Sequence, residues 1–61
     1  MANLTSKELS ALEDQLSFEH TCVCKYQAAA AETGETALRD CFRQHAGVHQ
    51  QNFNTLLTFL R

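Results

Sequence analysis

The sequence has no proline and only two glycines in 61 residues. Without proline, no position along the chain is barred from a helix interior. With so little glycine, few tight turns are available. Cysteine is scarce and odd in number, three in all. A disulfide framework in a small secreted fold uses an even count, so free thiols and synthesis inside the cell are expected. Five Lys and Arg stand against seven Asp and Glu, for a net charge of −2. The two signs are interspersed, which leaves neither a nucleic-acid patch nor a polybasic membrane anchor. No apolar run approaches the ~18–20 residues that cross a bilayer. Met1-Ala2-Asn3-Leu4-Thr5-Ser6 has no basic n-region and no apolar h-region, so no signal peptide is expected. There is no Gly-rich phosphate loop. Ser6, Ser10 and Ser17 have no base placed for nucleophilic catalysis, so no catalytic residue is assigned.

What remains is rich in Ala, Leu, Gln, Glu and Thr, without β-branched alternation. The class expected is all-α. Thr5 and Glu8 have capping-box spacing, with Leu4 and Leu9 as the matching hydrophobic staple. A first helix should therefore begin at Ser6 and run to about Glu32. Its apolar steps alternate three and four through Leu9, Leu12, Leu16, Val23, Tyr26 and Ala30, the seam of a helix packed along its length. The missing step in that series is Glu19. Thr33-Gly34-Glu35-Thr36 is the only break; Gly34 can take the left-handed conformation that ends a helix. The next cap could be Thr33, Glu35 or Thr36. A second helix should run from about Thr36 to Leu60, its stripe formed by Leu38, Phe42, His45, His49, Asn52 with Phe53, Leu56, and Phe59 with Leu60. Gly47 falls on the outward side, either to admit another helix or simply tolerated. So short a connection makes the helices antiparallel neighbours, in one hairpin covering residues 1–61.

A two-helix hairpin cannot surround its own seam. Below ~70–80 residues a single core is rarely sufficient without a staple, a metal or a partner. Two copies about a two-fold axis would enclose the seams as a homodimeric four-helix bundle. In a hairpin turning near Gly34, residues whose numbers sum to about 68 lie opposite each other. Glu19 then meets His49, Val23 meets His45, Tyr26 meets Phe42 and Ala30 meets Leu38. Two readings of this layer stand side by side. Glu19, His45 and His49, drawn from facing helices, form a ligand set suited to iron, zinc or manganese. Alternatively Glu19 and His49 close a buried hydrogen-bond layer that fixes register and needs no metal. His20 belongs on a flank. Cys22 and Cys24, two apart on a helix, point about 200° from each other and cannot chelate one ion together. They read as small flank residues, or as points of cross-linking between copies.

Leu4 to Leu60 resembles half of a ferritin-like bundle. Glu19, Tyr26 and Ala30 are similar to the Glu-x6-Tyr-x3-Ala run of rubrerythrin-type first helices. His49 matches the His of the Glu-x-x-His motif, but the Glu of that motif falls at Ala46, which argues against a standard carboxylate-bridged di-iron centre. Among ferritin-like proteins the chain resembles the short coat F type of spore coat proteins, through Leu4-Thr5-Ser6-Lys7-Glu8-Leu9, Ala37-Leu38-Arg39-Asp40 and the stretch from His49 to Leu57. That resemblance implies a structural role in the spore coat, synthesis in the mother-cell cytoplasm, and other spore coat proteins as partners. It makes the cysteines and Tyr26 candidates for oxidative cross-linking. The alternative it leaves open is a ferritin-like metal-binding protein with a His/Glu site in the bundle core.

Overall fold

The computed structural model describes residues 3–60. Met1, Ala2 and Arg61 lie outside the described residues, so the signal-peptide reading and the extremes of the 1–61 hairpin fall partly on them. The secondary structure of the described residues is all helical. Helix α1 covers Ser6–Glu32 and helix α2 Thr36–Leu57, followed by a 3-10 turn, Thr58–Leu60. The two helices lie side by side in a body whose Cα extents are 46 × 15 × 11 Å.

Local chemistry sets each boundary. Thr5, in extended backbone, accepts the Glu8 amide on its hydroxyl at 3.1 Å, while the Glu8 carboxylate accepts the Thr5 amide at 3.0 Å. These reciprocal bonds satisfy two of the helix's orphan donors. The bond from the Thr5 backbone, then that from its side chain, hold the Glu8 carboxyl below its ordinary value. At the other end Thr33 leaves the helix in extended conformation, with its amide still bonded to the Ala29 carbonyl at 3.1 Å. The Arg39 guanidinium takes the Thr33 carbonyl at 2.9 Å, tying the start of α2 to the end of α1. Of the three candidate caps, Glu35 caps α2, its carboxylate accepting the Ala37 amide at 3.3 Å. Gly34 departs from expectation. No described residue has a positive φ, because Thr33 turns the chain in extended geometry and no left-handed residue is required.

The seam of α2 also departs from expectation. Half-buried Phe42, His49, Phe53 and Leu56, with buried Ala46, form the stripe against α1, whereas Leu38 and His45 are exposed. The reason is Tyr26. Its ring lies 6.0 Å from Phe42, 5.4 Å from His45 and 5.7 Å from His49, stacked nearly parallel on the last. Those three residues and Ala46 have the i, i+3, i+4, i+7 spacing of a knobs-into-holes socket. Small Ala46 is its deep corner and His45 its outer rim. The interior that results is slight: Val23, Ala30 and Ala46 are the buried apolar residues, and Glu19, 3% exposed, is the buried polar one.

Two stability outcomes follow from these ends. Thr5→Ala should cost about 1 kcal/mol through loss of the cap, read from urea unfolding. Gly34→Ala should be neutral to stabilising, by up to about 1 kcal/mol through a stiffer unfolded chain. An added Cβ at Gly34 meets nothing within 4 Å. A loss at Gly34→Ala would show that the turn does require glycine.

Candidate functional site

The buried carboxylate of Glu19 sits midway along α1, where the three-four apolar spacing places it squarely in the seam. Antiparallel pairing brings α2 past it in the register that aligns residue numbers summing to 68. His49 Nδ1 lies 2.6 Å from Glu19 Oε1. Asn52, one turn further along α2, donates its Nδ2 to the same oxygen at 3.1 Å. From within α1, one turn before, Gln15 donates Nε2 to Oε2 at 2.7 Å. Three donors thus converge on the two oxygens of one carboxylate.

Electrostatics follow from that geometry. The bond from His49 is the largest influence lowering the Glu19 pKa; burial opposes it, and Asn52, Gln15 and the charge interaction with His49 add to the lowering. The group is therefore an ionised acceptor at neutral pH. An ionised carboxylate has no proton to donate, so His49 Nδ1 carries the proton in this bond. Burying an unpartnered carboxylate would be expensive; here the cost is met within the chain. Among the described residues no buried side-chain nitrogen or oxygen lacks a hydrogen-bond partner.

Of the three expected metal ligands, the fold joins Glu19 to His49 and leaves His45 on the exposed rim of the Tyr26 socket. Among the described residues no three His, Cys, Asp or Glu side chains stand together in a way that could hold one ion. Tyr26 is the reason, since its ring contacts both imidazoles from the α1 side. Gln15 and Asn52 were missed as members of the layer. The signal was available: Gln15 is four residues before Glu19 on α1, and Asn52 three after His49 on α2.

The flanks of the layer differ. Phe18 packs edge-on to His49, with centroids 6.2 Å apart, on one side of the hairpin. On the other, His20 lies 6.1 Å from Phe53 and 3.7 Å from the Cys24 sulfur. An open notch of about 240 Å³ adjoins Glu19 on the Phe18 side, lined by Gln15, Asn52, Thr55 and Leu56. Cys22, Cys24 and Cys41 are all free thiols.

The Glu19 carboxyl is lowered in the folded state, so it adds stability above the ordinary value of 4.5. That contribution disappears as pH falls through the lowered value. Glu19→Gln should be less stable than wild type at pH 7, and the gap should narrow on acidification below pH 4.5. Glu8 has the same sign but is present in both proteins, so the difference between their urea-unfolding curves, at one protein concentration, isolates Glu19. A gap independent of pH would contradict the assigned ionisation.

Compared with known proteins, the chain matches no family model, no curated protein and no solved structure.

Proposed function

We propose that this chain is a structural assembly protein, a hairpin that pairs with a second copy as a homodimeric four-helix bundle. The observation that carries the reading is the poverty of the hairpin's own core. Among the described residues the buried apolar side chains are Val23, Ala30 and Ala46, two of them alanines, and no large side chain is fully buried. Such an interior does not offset the conformational entropy of ordering about sixty residues. A second copy supplies the missing apolar contact without any further component.

A role in shape rather than chemistry is supported by the Glu19 layer. Its carboxylate is already satisfied by His49, Asn52 and Gln15, so it works as a register lock between the helices. The spore-coat setting rests on the resemblance of Leu4 to Leu9, Ala37 to Asp40 and His49 to Leu57 to the coat F type. With it come mother-cell synthesis and other coat proteins as further partners. No helix among the described residues is long and apolar enough to cross a membrane.

One observation favours a second reading, a ferritin-like metal-binding protein. Glu19 and His49 already stand 2.6 Å apart, and dimerisation would bring a second such pair and both His45 side chains toward the bundle centre. Iron, zinc or manganese would suit that donor set.

Light-scattering mass and metal content, measured on one purified sample, test both readings. The expected result is twice the 6.9 kDa chain mass, with metal far below one ion per chain after exposure to iron, zinc and manganese. One ion per chain, lost in His45→Ala or His49→Ala, would replace the structural reading with the metal reading. A monomer at micromolar concentration would overturn the bundle.

A further inference from the structure

Packing α1 on α2 uses one seam of each helix and leaves a second one bare. On α2 the residues Leu38, Cys41, His45, Val48, Asn52 and Phe59 follow the three-four spacing of a helical stripe, displaced from the buried stripe by part of a turn. On α1 the matching stripe is Ala11, Gln15, Phe18, Cys22 and Ala29. In an antiparallel pair these stripes border the same broad face. The contacts bear this out: Phe18 of one stripe touches His49, and Gln15 lines one notch with Asn52, Thr55 and Leu56. Phe18, Leu38, Val48 and Phe59 are 54%, 43%, 53% and 49% exposed there. The reverse face carries Glu13, Ser17, His20, Cys24 and Gln27 of α1, with Arg43, Gly47, Gln50 and Asn54 of α2. It is the more polar face, with Leu9 its large exposed apolar residue at 39%, and it has an open glycine whose Cβ would meet nothing within 4 Å.

We infer that the face bearing Phe18, Leu38, Cys41, Val48 and Phe59 is the docking surface for a second copy of this chain, and that the reverse face stays in solvent. The inference rests on the dimeric reading above and assigns it a side.

Area argues for the occupant. A compact monomer of this mass exposes about 4,000 Å². The hairpin exposes 4596 Å², an excess of several hundred Å². A face 46 Å by 15 Å offers roughly 700 Å², close to the ~800 Å² per partner of a standard stable interface. Large apolar Phe18, Leu38, Val48 and Phe59 flank a polar centre of Gln15, His45 and Asn52, and neither stripe contains Lys, Arg, Asp or Glu, a composition that suits self-association better than a site for a charged partner. Bulky Phe18, Leu38, Val48 and Phe59 are interspersed with small Ala11, Cys22, Ala29 and Cys41. A two-fold axis can set the large residues of one copy against the small ones of the other. The same covering would bury His45, the exposed rim of the Tyr26 socket.

The native thiols report the answer directly. Cys41 lies on the proposed face and Cys24 on the reverse, and both are exposed in the hairpin. The Cys24 contact with His20 lies within the hairpin, so protection that appears only at concentrations where the chain is dimeric comes from a covering chain. Site-resolved alkylation with a maleimide would be followed by mass spectrometry, at a concentration where light scattering gives the dimer. Each thiol's rate is compared with its own rate in denaturant. Cys41 should be slowed on the order of tenfold or more, and Cys24 little changed. In parallel, Val48→Glu should lower the mass toward the monomer, while Gly47→Ala should remain dimeric. Helical circular dichroism of each variant separates loss of association from loss of fold. Protection of Cys24 but not Cys41, of both, or of neither in a sample that is still dimeric would overturn the assignment of the face and leave the dimer standing. A monomeric mass with both thiols unprotected would overturn the dimer and the face together.

Discussion

A carboxylate in the middle of a helix seam must be met by donors, and meeting them fixes where the second helix lies. Glu19 accepts from His49 and Asn52 across the seam and from Gln15 on its own helix. Sliding α2 by one turn would carry both cross-helix donors out of reach and leave a buried ionised carboxylate with Gln15 alone, which is unfavourable. Apolar stripes alone specify the register weakly, since one Leu replaces another. The polar layer specifies it strongly. Tyr26 then finds its socket among Phe42, His45, Ala46 and His49, and Arg39 reaches the Thr33 carbonyl at the turn.

The same lock explains what the hairpin lacks. Its most buried positions hold a carboxylate and small side chains, Val23, Ala30 and Ala46. The large apolar residues Phe18, Leu38, Val48 and Phe59 lie outside the intrachain seam. Specificity therefore resides within the chain, and much of the hydrophobic surface that could stabilise the fold is still available to another chain. That division would suit the assembly unit proposed above, with the register fixed inside the chain and exposed apolar residues left for a partner. It also gives Ala46 a structural meaning. The position that would hold the carboxylate of a Glu-x-x-His motif is instead a buried alanine in the helix seam, where an unpartnered acid would be costly.

Much of this was legible in the sequence because the signals are local or depend on simple counting. The Thr5–Glu8 capping box, the absence of proline and the lone break at Thr33 to Thr36 place the helices. The sum rule about Gly34 brings Glu19 to His49 and Tyr26 to Phe42. What periodicity could not separate were two stripes only part of a turn apart on α2. Leu38 and His45 belong to one and His49 and Phe53 to the other, and a single apolar stripe drawn through all of them merges the intrachain seam with the outer face. The bulk of Tyr26 decides between them, and side-chain volume across a seam is invisible to spacing. The turn falls where the sequence places it, but its conformation differs: glycine permits a left-handed residue and does not demand one, and extended Thr33 makes it unnecessary.

The central claim is that Glu19 and His49 act as a unit, and a double-mutant cycle on that pair tests it most directly. Urea unfolding of wild type, Glu19→Ala, His49→Ala and the double variant would be compared at pH 7 and one protein concentration. The expected result is marked non-additivity, with the double variant losing little more stability than the Glu19→Ala or His49→Ala protein alone. Losses that simply add would contradict the claim, because they would mean that the carboxylate and the imidazole contribute independently and that something else sets the register of the hairpin.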